Sequence, residues 1–262
     1  MLAYFSPMRI RYRAALKAAA THLLVTILVA TLAAVLVFYV WYPWPFYEIV
    51  SGRELFWLVI GVDVVCGPLL TLVLWNPAKS AKELTLDMSL VGLVQVAALT
   101  YGMSTVTDTR PVRLVFEVDR IRLVSASEIN PAQLELAVKG LHKLPWTGPV
   151  LVGIRQPKDN QEMMESIDLS LKGLEPSLRP DWWQTYDLSV PEVLKAGRSI
   201  AVLRANRPAD AERIDAAVRA AKSPESDLLW LPLTAGRSSD WVVLLHKASA
   251  LPVSYARVDG FF

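Results

Sequence analysis

Apolar residues are arranged in two ways along this 262-residue chain. Up to residue 106 they form three long runs, and beyond it they are interleaved with charge. Residues 23–41 carry no charge, residues 55–75 carry one, Asp63, and residues 84–106 carry Asp87 near their start and Gln95 in their middle. About 20 mainly apolar residues cross a ~30 Å hydrocarbon layer as a helix, so each run predicts a transmembrane helix. The pattern divides the chain into a basic segment over 1–20, a three-helix transmembrane region over 21–106 and a soluble domain over 107–262.

After residue 107 the period shortens. Val112, Leu114, Phe116 and Val118 alternate with Arg113, Val115 and Glu117, and Ile121 and Leu123 continue the alternation, which predicts two strands or one long bent one. Asn130-Pro131 supplies an N-cap and a first-turn proline, with Gly140 closing that helix. A strand is expected over 150–154. Asp159 caps a helix whose Met163, Ile167 and Leu171 are expected to face the core. A short helix runs over 191–197 and a short strand over 200–203. Ala211, Ile214, Val218 and Ala221 mark an amphipathic helix within 208–222. Three more strands fall at 228–233, 241–245 and 253–256, with a turn at Ala235-Gly236-Arg237. The fold class is therefore three transmembrane helices followed by a soluble α+β domain with a mainly antiparallel sheet.

Composition and charge orient this picture. Hydrophobic residues make up 53% and mean hydropathy is +0.33, high for a soluble chain. Arg9, Arg11, Arg13 and Lys17 precede the first run, and Lys79 and Lys82 separate the second from the third. Between the first and second, Arg53 stands against Glu48 and Glu54. The positive-inside rule puts the N-terminus and the 76–83 loop in the cytoplasm and delivers the soluble domain to the far side. That domain holds twenty basic and twenty acidic residues, so the net +2 lies before it and nucleic acid is not expected as a partner. Lys79 and Lys82 serve topology first and anionic lipid heads second. The first run is too long for a cleaved signal core and is read as retained. The single cysteine, Cys66, lies at membrane depth, so the exported domain has no disulfide.

Candidate chemistry is sparse. The loop "WYPWPFYEIVSGRE" crowds aromatic rings at the outer edge, where an interfacial belt is expected. Its Pro43 and Pro45 also stiffen it, so Tyr42, Pro43 and Pro45 are candidates for holding a partner's helix end. Asp63, Gly67, Thr71 and Leu74 share one face of the second helix, where Pro68 cannot donate to the Val64 carbonyl and a bend is expected. Asp87, Val91, Gln95, Ala98 and Gly102 form a similar stripe on the third, and Thr26, Ala30 and Ala33 on the first. Small-residue stripes are where membrane helices approach closely. By residue counting Asp63 and Gln95 lie at one level, and a hydrogen bond between them would clamp the bundle or serve a partner. Asp87 lies near the cytoplasmic surface, within reach of Lys82. In the exported domain Asp119-Arg120 reads as a turn or surface ion pair, and Trp182-Trp183 as one core ring beside one contact ring. His142 and His246 are far apart, no Cys/His cluster has ligand spacing, and no nucleophile, zincin, Walker or dinucleotide motif is present.

Four stretches together, "WYPWPFYEIVSGRELFWLVIGVDVVCGPLLTLVLWNPAK", "LDMSLVGLVQVAALTYGM", "RPVRLVFEVDRIRLV" and "LPLTAGRSSDWVVLL", resemble the TfpX/TfpZ-type accessory proteins of type IV pilins. The positions that match the family's pattern include Tyr42, Pro43, Pro45, Gly61, Asp63, Gly67, Pro68, Thr71, Lys79, Asp87, Gln95, Gly102, Arg110, Pro111, Asp119 and Arg120. His246-Lys247 departs from it, where relatives carry an aspartate after the "WVVLL" strand. The resemblance implies a bacterial inner-membrane protein with a periplasmic C-terminal domain and no cofactor or enzyme activity. It implies a pilin-specific chaperone or assembly factor whose partners are the major pilin's transmembrane helix and globular head, the bilayer and other pilus-assembly proteins. The competing reading is a membrane-bound enzyme that modifies pilin or a lipid-linked substrate, with Asp63 or Asp119 as base.

Overall fold

The computed structural model describes residues 5–50, 52–236 and 238–262, and the chain divides into two compact units. The first comprises Met1–Val40 and Ser51–Asp108, and the second Trp41–Val50 and Thr109–Phe262. The segment between the first two long helices therefore belongs with the second unit, across the boundary that hydropathy draws at 107.

In chain order the long helices are α1 (Phe5–Val35), which continues through a π-helical stretch, Leu36–Trp41, then, after a one-turn helix α2 (Phe46–Ile49), α3 (Gly52–Leu74) and α4 (Ala81–Asp108). Three stretches, Arg11–Trp41, Phe56–Leu74 and Ala81–Asp108, are long and apolar enough to cross a membrane. The first is 31 residues, about 46 Å at ~1.5 Å per residue, longer than a hydrocarbon core. α3 packs against both α1 and α4. Leu24, Leu28 and Leu32 on α1, Val65, Leu69 and Val73 on α3, and Leu86, Leu90 and Leu93 on α4 point outward and exposed, as helices solvated by lipid require. α3 stays helical through Pro68. The Lys79 ammonium donates to the Leu74 carbonyl (3.3 Å), covering an orphan acceptor at the end of α3, and a Ser80–Glu83 capping box opens α4.

The second unit is built on a seven-stranded sheet of β1 (Pro111–Glu117), β2 (Arg120–Ser125), β3 (Val150–Ile154), β4 (Trp183–Thr185), β5 (Leu228–Ala235), β6 (Ser238–His246) and β7 (Pro252–Ala256), in the order β4-β3-β1-β2-β5-β6-β7. The β1–β3 and β2–β5 pairings are parallel and the other four antiparallel. Period-2 alternation splits the side chains between two faces. Trp241, Val243 and Leu245 of β6 join Leu231 and Leu233 of β5 on one face, while Val242 and Leu244 join Leu228 and Trp230 on the other. Both faces are covered, so these strands read as nearly unbroken apolar runs. The remaining helices are α5 (Asn160–Leu171), α6 (Val190–Ala196), α7 (Ile200–Asn206) and α8 (Ala211–Ala220).

Several expectations need correcting. Residues 200–203 form the start of α7, because Ile200 and Leu203 are the buried pair, a spacing of three that a strand would put on opposite faces. The helix expected from Asn130 is a single 3-10 segment, Pro131–Leu136, although Asn130 does cap it by accepting from the Ala132 N–H (3.0 Å). Trp182 and Trp183 are both buried, at 4% and 0% exposure, where one is expected at the surface. Arg113 is also buried: β1 is internal to the sheet, and the guanidinium donates to the carbonyls of Leu141 (3.1 Å) and Lys143 (2.9 Å) and stacks on Trp183. Burial lowers its pKa to about 10. Arg237, in the expected β5–β6 turn, lies outside the described residues.

Candidate functional site

Within the first unit the polar side chains of the bundle converge on His22 of α1. Its Nδ1 lies 2.5 Å from the Thr71 hydroxyl of α3, and its Nε2 lies 2.6 Å from the Gln95 side-chain oxygen of α4. The Gln95 amide nitrogen donates to the backbone carbonyl of Asp63 at 3.1 Å. That last bond fixes the direction of the one between Gln95 and His22. With its nitrogen on a carbonyl, Gln95 presents its oxygen to His22, and because that oxygen can only accept, Nε2 carries a proton and donates, while Nδ1 faces the Thr71 hydroxyl, which can serve as donor or acceptor. A chain of hydrogen bonds thus links Thr71, His22, Gln95 and the backbone of α3, tying all three long helices together. Interhelical bonds of this kind contribute on average about 0.6 kcal/mol each.

Gly67 makes this geometry possible. A Cβ there would overlap the Gln95 amide, so the side chain lies across the bare backbone of α3 between Asp63 and Thr71. The expected Asp63–Gln95 hydrogen bond is present, and the structure shows which atom of Asp63 makes it. The two residues do meet, but through the Asp63 carbonyl: the Gln95 arm lands one turn further along α3, where the missing side chain leaves room. The Asp63 residue is only 7% exposed, and among the described residues no hydrogen bond reaches its carboxylate. The Lys79 ammonium, rather than Lys82, pairs with Asp87. Gly102 of α4 approaches α3 as its stripe predicts, since a Cβ there would strike the Val59 side chain. Pro68 flanks Gly67 on α3 and has no hydrogen-bonding part in the chain of contacts.

Sequence reasoning misses His22 because an apolar run counted from Leu23 makes the histidine a boundary. The available signal is its spacing. His22, Thr26, Ala30 and Ala33 lie on one helical face, and Thr26 donates back to the His22 carbonyl (3.0 Å).

The aromatic loop does something other than expected. Trp41, Tyr42 and Phe46 are buried in the second unit, and Phe46 and Ile49 of α2 join the sheet core beside Leu114, Phe116 and Trp241. Trp44, 54% exposed, keeps the character of a belt residue. The Pro43 and Pro45 carbonyls accept the Phe46 and Glu48 N–H groups, both at 2.9 Å, so the prolines set the first turn of α2. Gly148, at φ +59, brings a turn against the Pro43 ring, where a side chain would have neither the backbone conformation nor the space. The Tyr42 hydroxyl meets the Thr109 hydroxyl at 2.8 Å, and burial pushes the phenol up to about 12. Asp119, in the Val118–Asp119 turn between β1 and β2, makes a half-exposed ion pair (2.8 Å) with Arg120, the first residue of β2, whose guanidinium lies over the Phe261 ring.

On the second unit α5 is turned opposite to expectation. Met163, Ile167 and Leu171 are 49%, 45% and 83% exposed, while Ser166 is buried. The helix is held by its polar side: Arg179 donates to the Ser166 hydroxyl (2.5 Å), and Arg155 grips the Glu162 carboxylate through two nitrogens (2.7 and 2.9 Å). Arg155, with the Lys158 N–H, holds the Glu162 carboxyl down to about 2. Arg155 and Arg179 both stack on Trp182, 4.6 and 4.5 Å from its centroid. The apolar side is left to line a groove of about 850 Å³ with Phe116, Val118, Ile154 and Leu188. Among the described residues no three His, Cys, Asp or Glu side chains are placed to hold a metal ion.

Known proteins resemble this chain from end to end. A fimbrial assembly protein of serogroup I from Dichelobacter nodosus is 35% identical over 253 residues, covering 96% of this chain and 98% of its own. The chain belongs to the fimbrial assembly protein family. A second relative, the serogroup E1 fimbrial assembly protein of the same organism, is 34% identical over 96% of this chain and 98% of its own. The protein of serogroups C1 and C2 is 45% identical over 45% of this chain and 91% of its own. The profile described as "Fimbrial assembly protein FimB" matches residues 10–51, the stretch that carries both His22 and the buried aromatic loop. No solved structure matches.

Proposed function

We propose that this fimbrial assembly protein is an accessory factor of the TfpX/TfpZ type, a pilin-specific chaperone that receives a type IV fimbrial subunit in the bacterial inner membrane and promotes its assembly into pili. Its N-terminus is cytoplasmic and its α+β domain periplasmic. The observation that carries this reading is the likeness to fimbrial assembly proteins over 96% of this chain and 98% of theirs, which takes in both units.

The geometry agrees with a role in binding rather than in chemistry. The hydrogen bonds of His22, Thr71 and Gln95 are made to one another and to backbone, which suits a scaffold. The groove under α5 gives the globular head of a client an apolar surface, and the apolar flanks of the bundle give its membrane helix a place to pack. Contacts of this kind are individually weak in lipid, and reversible contact is what a hand-off to the growing fibre needs.

The test uses a strain that lacks the gene, complemented by variants of the full-length protein. Loss of surface pili at unchanged subunit mass supports assembly. A discrete change in subunit mass would instead favour a modifying enzyme. A photoreactive residue at Ile167, and another at outward-facing Val65, should crosslink to the subunit, and failure at both sinks the chaperone reading. Reporter fusions at residue 80 and at the C-terminus check the orientation, and a cytoplasmic C-terminus overturns it.

A further inference from the structure

At the basic end of the bundle, within the first unit, α1, α3 and α4 leave a groove of about 600 Å³ lined by Lys17, Thr21, His22, Val25, Trp75 and Met88. Its chemistry changes along its length. Lys17 is exposed and makes no ion pair or hydrogen bond among the described residues. Arg13, one turn earlier on the same face of α1, is exposed and likewise has no ion pair among the described residues. From Lys17 to Val25 is eight residues, about 12 Å along the axis at ~1.5 Å per residue, and over that distance the wall passes from ammonium through hydroxyl to hydrocarbon.

We propose that this groove holds one anionic phospholipid, its phosphate on Lys17 and Arg13 and an acyl chain against Val25 and Met88. Charge complementarity selects this occupant. A free anion would leave the oily half of the groove empty, and a wholly apolar client helix would leave two cations unanswered. A phospholipid with a net negative head satisfies both ends, and Trp75, which lines the same groove, supplies the amphipathic ring that favours headgroup depth. Two surface cations, each attracting anionic lipid with about the strength found for polybasic segments, give roughly 30-fold preference over a zwitterionic lipid of equal chain length. The proposal is independent of which client the protein serves.

Native mass spectrometry of the full-length protein, released from detergent with equimolar phosphatidylglycerol and phosphatidylcholine of identical chains, tests it. Phosphatidylglycerol should stay bound about 30-fold more often. The exposed double substitution Arg13→Gln with Lys17→Gln should reduce that ratio to near one, Lys17→Arg should keep it, and Ala18→Phe, which fills the groove, should lower retention of both lipids. The helical spectrum of each variant confirms that it is folded. Equal retention of the two lipids by the wild-type protein overturns the proposal, and so does an unchanged preference in the double variant. Displacement of bound lipid by an added fimbrial subunit helix, at equal affinity in wild type and double variant, would assign the groove to the client and also overturn it.

Discussion

Replacing Gly67 by alanine tests the bundle's polar chain directly. The added methyl occupies the space in which the Gln95 amide lies, so that amide must leave both the Asp63 carbonyl (3.1 Å) and His22 Nε2 (2.6 Å). Interhelical hydrogen bonds in lipid average about 0.6 and reach about 1.7 kcal/mol, so the two together stabilise the bundle by about 1–3 kcal/mol. Alanine returns up to about 1 kcal/mol through its helix propensity. In the wild-type background Gly67→Ala should therefore destabilise by a fraction of a kcal/mol to about 3 kcal/mol. In a Gln95→Ala background the obstructing amide is gone, and the same substitution should be neutral or stabilising by up to about 1 kcal/mol. The coupling between the two positions is then about 1–3 kcal/mol, read by reversible unfolding of the full-length protein in mixed micelles. Additive effects within about 0.5 kcal/mol would show that Gly67 makes no room for Gln95 and would refute the reasoning.

Gly102→Ala should cost more than Gly67→Ala, because the Cβ meets Val59, a β-branched side chain that cannot swing away, and Val59→Ala should restore stability in the same unfolding assay. Phe46→Ala should destabilise the second unit by about 3–5 kcal/mol by thermal melting, although residue 46 lies in the connection between two membrane helices. Tyr42→Phe should cost about 1 kcal/mol at pH 7, for the lost bond to Thr109. Because burial raises the Tyr42 phenol to about 12, wild-type stability is fully present below pH 10 and falls as pH rises from 10 to 12, by about 2–3 kcal/mol for this group, so the order of the two proteins should invert in an alkaline melt. Ile167→Asp should leave the melting temperature within about 1 °C, since the side chain is 45% exposed, and should reduce piliation.

The features legible in the sequence are those whose pattern has one physical solution. Three uncharged or nearly uncharged runs have few alternatives to spanning helices, and β5 and β6 can be read because their unbroken apolar stretches end at turn residues. α7 cannot, since four apolar residues in a row fit a buried strand or a helix, and only the pairing of Ile200 with Leu203 decides. α5 shows a different limit. Its amphipathic period is plain, but period reports that a helix has two faces and not which one the protein covers. Two arginines bound to Ser166 and Glu162 settle that, from positions the pattern does not mark. Among candidate site residues, Gly67, Thr71 and Gln95 stand out from stripes of small and polar side chains. His22 is lost to a boundary drawn one residue too late, and the carboxylate of Asp63 attracts an assignment that belongs to its backbone.

The loop between the first two long helices is the least anticipated element, and its chemistry explains why. Aromatic rings next to an apolar run fit two environments, a headgroup layer and a protein core, and composition does not separate them. Burial does: Tyr42 is 0% exposed and Phe46 6%, and the latter shares a core with Leu114, Leu231 and Val243. The α+β unit consequently draws part of its core from residues far upstream of 107. A fragment that starts at 107 lacks Phe46 and Ile49, and each buried side chain of that size is worth a few kcal/mol against a total domain stability of about 5–15 kcal/mol. The stretch 10–51 that carries the family profile thus supplies His22 to one unit and α2 to the other, so a single change within it reaches whichever unit its side chain completes. Loss of function on mutating the loop is therefore evidence for a client contact only where the melting temperature of the α+β unit is unchanged, an outcome expected sooner of a variant at exposed Trp44 than of one at buried Phe46.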